Sequence, residues 1–159
     1  MNRNLVPIAS LLVAGSAWAQ SEPLDADALA RCAQQVQQLR SEAPRLLARN
    51  AQLDEQRESI QQRQRALAAE AKGIGSEDLN AGLDYSERRR LLNDEARAFN
   101  AEIERIKDEI RAINVVKQQY AANCAQRSYR RSDFERLSPQ AQAAMRAGMG
   151  GIEVPYTEP

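Results

Sequence analysis

The chain of 159 residues carries 22 basic and 22 acidic side chains, two cysteines, few aromatics and no histidine. It lacks the excess of Lys and Arg on which general nucleic-acid binding rests. It also lacks the base of a Ser-His-Asp or Cys-His site, and two isolated cysteines without histidine make a poor zinc set.

Met1 to Ala19 reads as a secretory signal peptide. Arg3 is the positive flank, Leu5 to Ala14 the short apolar core, and Ala17-Trp18-Ala19 places small residues at the −3 and −1 positions, so cleavage is expected before Gln20. The apolar run is shorter than the roughly 20 residues of a spanning helix. No later stretch is apolar enough to cross a bilayer, so no transmembrane segment is expected. Without Arg3 the balance becomes 21 basic against 22 acidic residues. The expected location is outside the cytoplasm: periplasmic if the source is a Gram-negative bacterium, otherwise secreted.

The first helix is expected over about residues 25–72. Cys32, Leu39, Leu46, Leu53, Ile60, Leu67 and Ile74 recur every seventh residue, the d row of a heptad pattern. Leu29, Val36, Ala43, Asn50, Arg57, Gln64 and Ala71 form the a row. Asp25 or Ser21 suits the N-cap, and Asp27 favours the first turn. Pro44 removes a helical hydrogen bond. The d spacing is unbroken across it and it falls on the solvent-facing b position. A kinked, continuous helix is therefore expected, with a break into two helices as the alternative.

Gly73, Gly75, Asn80 and Gly82 mark residues 73–84 as the turn. Asp84 and Glu87 then have the spacing of a capping box, which opens the second helix over about residues 85–127. Leu92, Phe99, Ile106, Ile113 and Tyr120 form its d row, and Ala96, Ile103, Ile110, Lys117 and Cys124 its a row. Two stripes of this kind pair as an antiparallel hairpin. Joining Cys32 to Cys124 as a disulfide suits an exported chain. That register places Asp78 at the midpoint, matches every a to a d, and brings Arg49 toward Glu109, Arg63 toward Glu95 and Glu70 toward Arg88. Closing a loop of about 90 residues contributes roughly 4–5 kcal/mol in the chain-entropy description. The polar intrusions Asn50, Arg57 and Lys117 are read as stems that pack while their heads reach solvent. Arg57 also has the option of lying over the Phe99 ring.

Residues 128–159 form a tail. Ser132 with Glu135 fits a capping box, and Ser138 before Pro139 fits an N-cap with proline at the first helical position. One or two short helices are expected between Asp133 and Ala147, followed by glycines and a mobile C-terminus. Tyr129, Phe134, Leu137 and Met145 are expected to dock near Val115 and Val116. The competing reading is a partner-binding tail, with Arg127, Arg130, Arg131 and Phe134 as contacts. Against that, the basic cluster is expected to be balanced by Glu22, Asp25 and Asp27.

The fold expected is all-α: an antiparallel two-helix coiled-coil hairpin closed by a disulfide, with a short helical tail. Long solvated heptad helices suit a non-catalytic envelope structural or protein-interaction module, binding another envelope protein or dimerising through Leu47, Leu91, Val115 and Val116. A periplasmic chaperone-like client binder is the alternative. Catalysis would fall to carboxylates such as Glu102 and Glu109, which solvated surface charge explains better. No catalytic, metal or cofactor site is expected.

Overall fold

A computed structural model describes residues 22–75 and 78–155. The segment read as a signal peptide and the last four residues lie outside them. Two helices of 45 residues dominate: α1, Ala26–Glu70, and α2, Leu79–Asn123. At about 1.5 Å per residue each is a rod of roughly 67 Å. They pack against each other as the antiparallel hairpin that the two heptad stripes imply, and two short helices follow, α3 Arg131–Glu135 and α4 Pro139–Ala147. Among the described residues there is no strand, only a single bridge between Leu24 and Tyr129.

The core is the heptad seam. Leu39, Leu46, Leu53 and Ile60 of α1 form one buried cluster with Leu92, Phe99, Ile106, Ile110 and Ile113 of α2. Each helix buries one apolar stripe and leaves its charged faces in water, the arrangement that makes helices of modest intrinsic stability hold together. The polar a-row residues Asn50, Arg57 and Lys117 remain exposed. Arg57 does so by pairing with Asp54 at 2.7 Å, so its head is drawn to a carboxylate on its own helix.

The disulfide Cys32–Cys124 closes the end of the hairpin opposite the turn, with a Cα–Cα distance of 5.7 Å. Around it sits a second, smaller core of Leu24, Leu29 and the two cysteines, against which Tyr120, Phe134, Leu137 and Met145 pack. α1 runs through Pro44 without interruption. Pro44 is exposed while Leu39 and Leu46 on either side are almost fully buried, so seam packing carries the helix past the missing hydrogen bond.

The turn is shorter than its glycines suggest. α1 ends at Glu70, and α2 begins at Leu79, six residues before the expected Tyr85. Asp78, not Asp84, is the N-cap: its carboxylate accepts from the Ala81 amide at 3.0 Å. Gly82 is absorbed into the first turn, a cost of only about 1 kcal/mol relative to alanine. Asp84 instead forms an ion pair with Arg88 at 3.0 Å, one turn later. Asp78→Ala should therefore cost about 1 kcal/mol and speed amide exchange at the start of α2. Asp84→Ala should change stability by only a few tenths of a kcal/mol. Hydrogen exchange and urea unfolding of the two variants check this, and equal effects would contradict the assignment. At its other end α2 stops at Asn123 rather than Arg127: Cys124 is the C-cap, with a non-helical φ of -123°, and Gln126 two residues on takes a left-handed φ of 60°.

The tail departs from expectation in two ways and meets it in one. Ser132 does not cap α3, whose N-cap is Arg130 without a side-chain bond. Ser138 does cap α4, accepting from the Ala141 amide at 3.2 Å. Docking is centred on the start of α1, not on Val115 and Val116. The disulfide sets Cys124 beside Cys32, and the Leu24 amide donates to the Ser128 carbonyl at 2.8 Å, so the chain enters the tail already beside α1. Val115 stays exposed and Val116 lies at the edge of the main core.

The segment after α4 is packed down as far as Pro155; the last four residues, where a mobile C-terminus is expected, lie outside the described residues. Met149, Ile152 and Val154 lie against the main core, and Pro155 is buried. Among the described residues, the half of the hairpin near the disulfide thus has a third layer, while the half near the turn is two helices alone.

Candidate functional site

The four residues read as partner contacts, Arg127, Arg130, Arg131 and Phe134, have different surroundings. Phe134 is used by the fold: it packs in the small core, stacks on Tyr129 with 5.6 Å between ring centroids, and lies beneath the Arg146 guanidinium at 5.1 Å. Arg127 donates through Nη2 to the Glu22 backbone carbonyl at 2.7 Å. The cluster is thus tied to the acidic N-terminal segment through main chain, not carboxylate. Asp25 is occupied as the N-cap of α1, accepting from the Ala28 amide at 2.7 Å. Arg130 lines a surface depression with Glu22, Leu24, Asp25 and Asp133. Arg131 pairs with Glu135, at 2.8 Å, and its side chain is 91% exposed. Of the four, Arg130 and Arg131 are exposed, while Arg127 and Phe134 are half-buried.

The middle of the rod holds the two carboxylates considered for catalysis. Glu109 pairs with Arg45 at 3.0 Å, and Glu102 with Arg49 at 2.7 Å, with Arg105 also on Glu102. The expected Arg49–Glu109 pair is replaced by these because arginine arms reach a helical turn along the rod. Two carboxylates each neutralised by guanidinium groups are surface ion pairs, the ordinary role of charge on a solvated helix face.

Near the turn the surface changes. Arg63 donates to Glu95 through two bonds, of 2.6 and 2.5 Å, and Arg88 donates to Glu70, both pairs as expected from the register. All four residues occupy g positions, and the two ion pairs span the groove between the helices. These bonds hold the Glu95 and Glu70 carboxyls below their ordinary range and the Arg63 and Arg88 guanidinium groups above theirs. Between the pairs lies an apolar window floored by Ala66, Leu67, Leu91 and Leu92, a groove of about 370 Å³. Leu91 is 53% exposed. Closer to the turn, Leu79 and Leu83 are 77% and 71% exposed, one helical turn apart.

Protein-family models, curated proteins and solved structures give no match to this chain.

Among the described residues no cluster of three or more acidic or cysteine side chains is arranged to hold a metal ion, and no helix is long and apolar enough to cross a membrane.

Two features of these surfaces escape a reading by heptads. Leu79 and Leu83 fall in a stretch whose glycine and asparagine suggest a turn; their spacing of four is the signal that a helix has already begun. The other is Arg40, whose Nη2 donates to the carbonyls of Ala147, Gly148 and Gly150 at 3.1, 3.0 and 3.0 Å. A cation there meets the negative end of α4 just where Gly148, at φ 53°, turns the chain away. No sequence spacing announces a side chain bonded to carbonyls more than 100 residues away. Asn114 adds a second tie, donating to the Pro155 carbonyl at 2.9 Å. Arg40→Ala should lower stability by about 1–2 kcal/mol and release protection in residues 148–155, leaving exchange near the turn unchanged. Hydrogen exchange resolved by peptide checks this.

Proposed function

We propose that this chain is an exported, non-catalytic interaction module of the cell envelope, a stiff hairpin that presents its turn end to another protein. The observation that carries this reading is the division of the rod. One end is closed by a disulfide and covered by the tail, while the other carries exposed Leu79 and Leu83. A disulfide between cysteines 92 residues apart suits an oxidising compartment, in keeping with an N-terminus that reads as a secretory signal. Exposed leucines on a solvated rod are the kind of apolar anchor that interfaces bury.

The test combines fractionation with photocrosslinking in intact cells. A photoreactive residue at Leu83 should trap a discrete partner, and one at Glu58 on the outer face of α1 should not. The exported chain should begin at Gln20 and have no free thiol. Cytoplasmic retention with both thiols free would sink the export part of the proposal. If no discrete partner is trapped at Leu83 and the chain suppresses aggregation of an unfolded model protein, with that activity lost in Leu79→Ser/Leu83→Ser, the chaperone-like alternative stands in its place.

A further inference from the structure

We infer that the apolar window between the Arg63–Glu95 and Glu70–Arg88 pairs is a self-association surface. Its occupant is the same face of a second copy, related by a two-fold axis along the rod. The charges carry the inference. On α1 they run Arg63 then Glu70 toward the turn; on α2 they run Glu95 then Arg88 at the same levels. Each level therefore has a cation on one helix and an anion on the other.

A two-fold axis along the rod sets α1 of one copy opposite α2 of its partner at equal height. Arg63 then faces the partner subunit's Glu95, and Glu70 faces the partner subunit's Arg88. The exposed Leu91 faces the small Ala66 of the other copy, a large-into-small fit. The same rule continues toward the middle of the rod, where Arg45 and Arg49 on α1 stand against Glu109 and Glu102 on α2. A foreign peptide of one net sign would meet as many like charges as opposite ones on this face. A second copy of the face meets opposite charges at both levels that flank the window. This inference does not depend on the compartment or on the partner proposed for the turn.

The test is the mass of the disulfide-closed chain by light scattering from micromolar to millimolar concentration. A dimer is expected. Leu91→Arg should weaken it roughly 30-fold or more, with unchanged circular dichroism and, at concentrations where both chains are monomeric, an unchanged melting temperature, because Leu91 lies outside the seam. The double variant Glu70→Arg/Arg88→Glu keeps the pair within the chain and keeps opposite charges opposed across the lengthwise axis, so its dimer should persist. Under a crosswise axis the same swap would bring like charges together. A chain that stays monomeric throughout overturns the inference. So does a dimer indifferent to Leu91→Arg, or one abolished by the double swap.

Discussion

Opening the Cys32–Cys124 disulfide is expected to destabilise the hairpin by about 4–5 kcal/mol and to lower its melting temperature by roughly 10–20 °C. The bond joins positions 92 residues apart, so the unfolded chain gains most of its freedom when it is cut. The small core at that end is built around the bond, with Leu24, Leu29, Phe134 and Leu137 gathered on the two cysteines. The turn still joins the helices at the other end, and the seam remains apolar. Helical circular dichroism at low temperature should therefore survive while the melting transition moves down. The measurement is a thermal melt of the chain with and without reductant, repeated on Cys32→Ser/Cys124→Ser. An unchanged melting temperature would mean that helix packing alone secures that end.

Truncating the seam at its two ends should have unequal costs. Leu39→Ala is expected to cost about 3–4 kcal/mol and Leu92→Ala about 2 kcal/mol. Leu39 is fully buried, in a cluster that Met149, Ile152 and Val154 join from the tail. A cavity there is enclosed by three layers and cannot close cheaply. Leu92 keeps 7% of its surface and floors the open window near the turn. Removing its side chain widens a groove that solvent already reaches, so less is lost. Urea unfolding of the two variants decides the matter. Equal costs would show that the tail adds nothing to the core beneath it.

The seam was legible because a heptad pattern carries its own geometry. Leu39, Leu46, Leu53 and Ile60 can share one face only on a helix, and a second stripe of matching length supplies the burial that one stripe lacks. The cysteines and the pairs Arg63–Glu95 and Glu70–Arg88 then set the register, since one heptad of slip would separate them. The middle pairs were less legible. Arg49 reaches Glu102 and leaves Glu109 to Arg45, because long arginine side chains choose among carboxylates a turn apart at little cost.

Local signals were least informative where several competed. Asp78 and Asp84 are both sound N-caps, and Ser132 with Glu135 has the spacing of a capping box that does not form. Which aspartate caps α2 depends on how much chain is needed to turn from Glu70 into the second helix, a distance set by the two rods and not by the residues between them. The candidate surfaces follow the same logic. Phe134 has the composition of a partner contact, but the disulfide and the Leu24–Ser128 bond bring it into the small core.

By itself, the sequence determined the class of fold, the pairing of the cysteines and the residues of the seam, because periodic apolar burial acts at every heptad and tolerates only one register. Tertiary structure alone decided where the tail lies, that Arg40 and Asn114 hold it there, and which leucines remain outside. Those outcomes rest on single contacts between residues far apart in the chain. Such contacts exist only once the rods have brought their partners within hydrogen-bond reach.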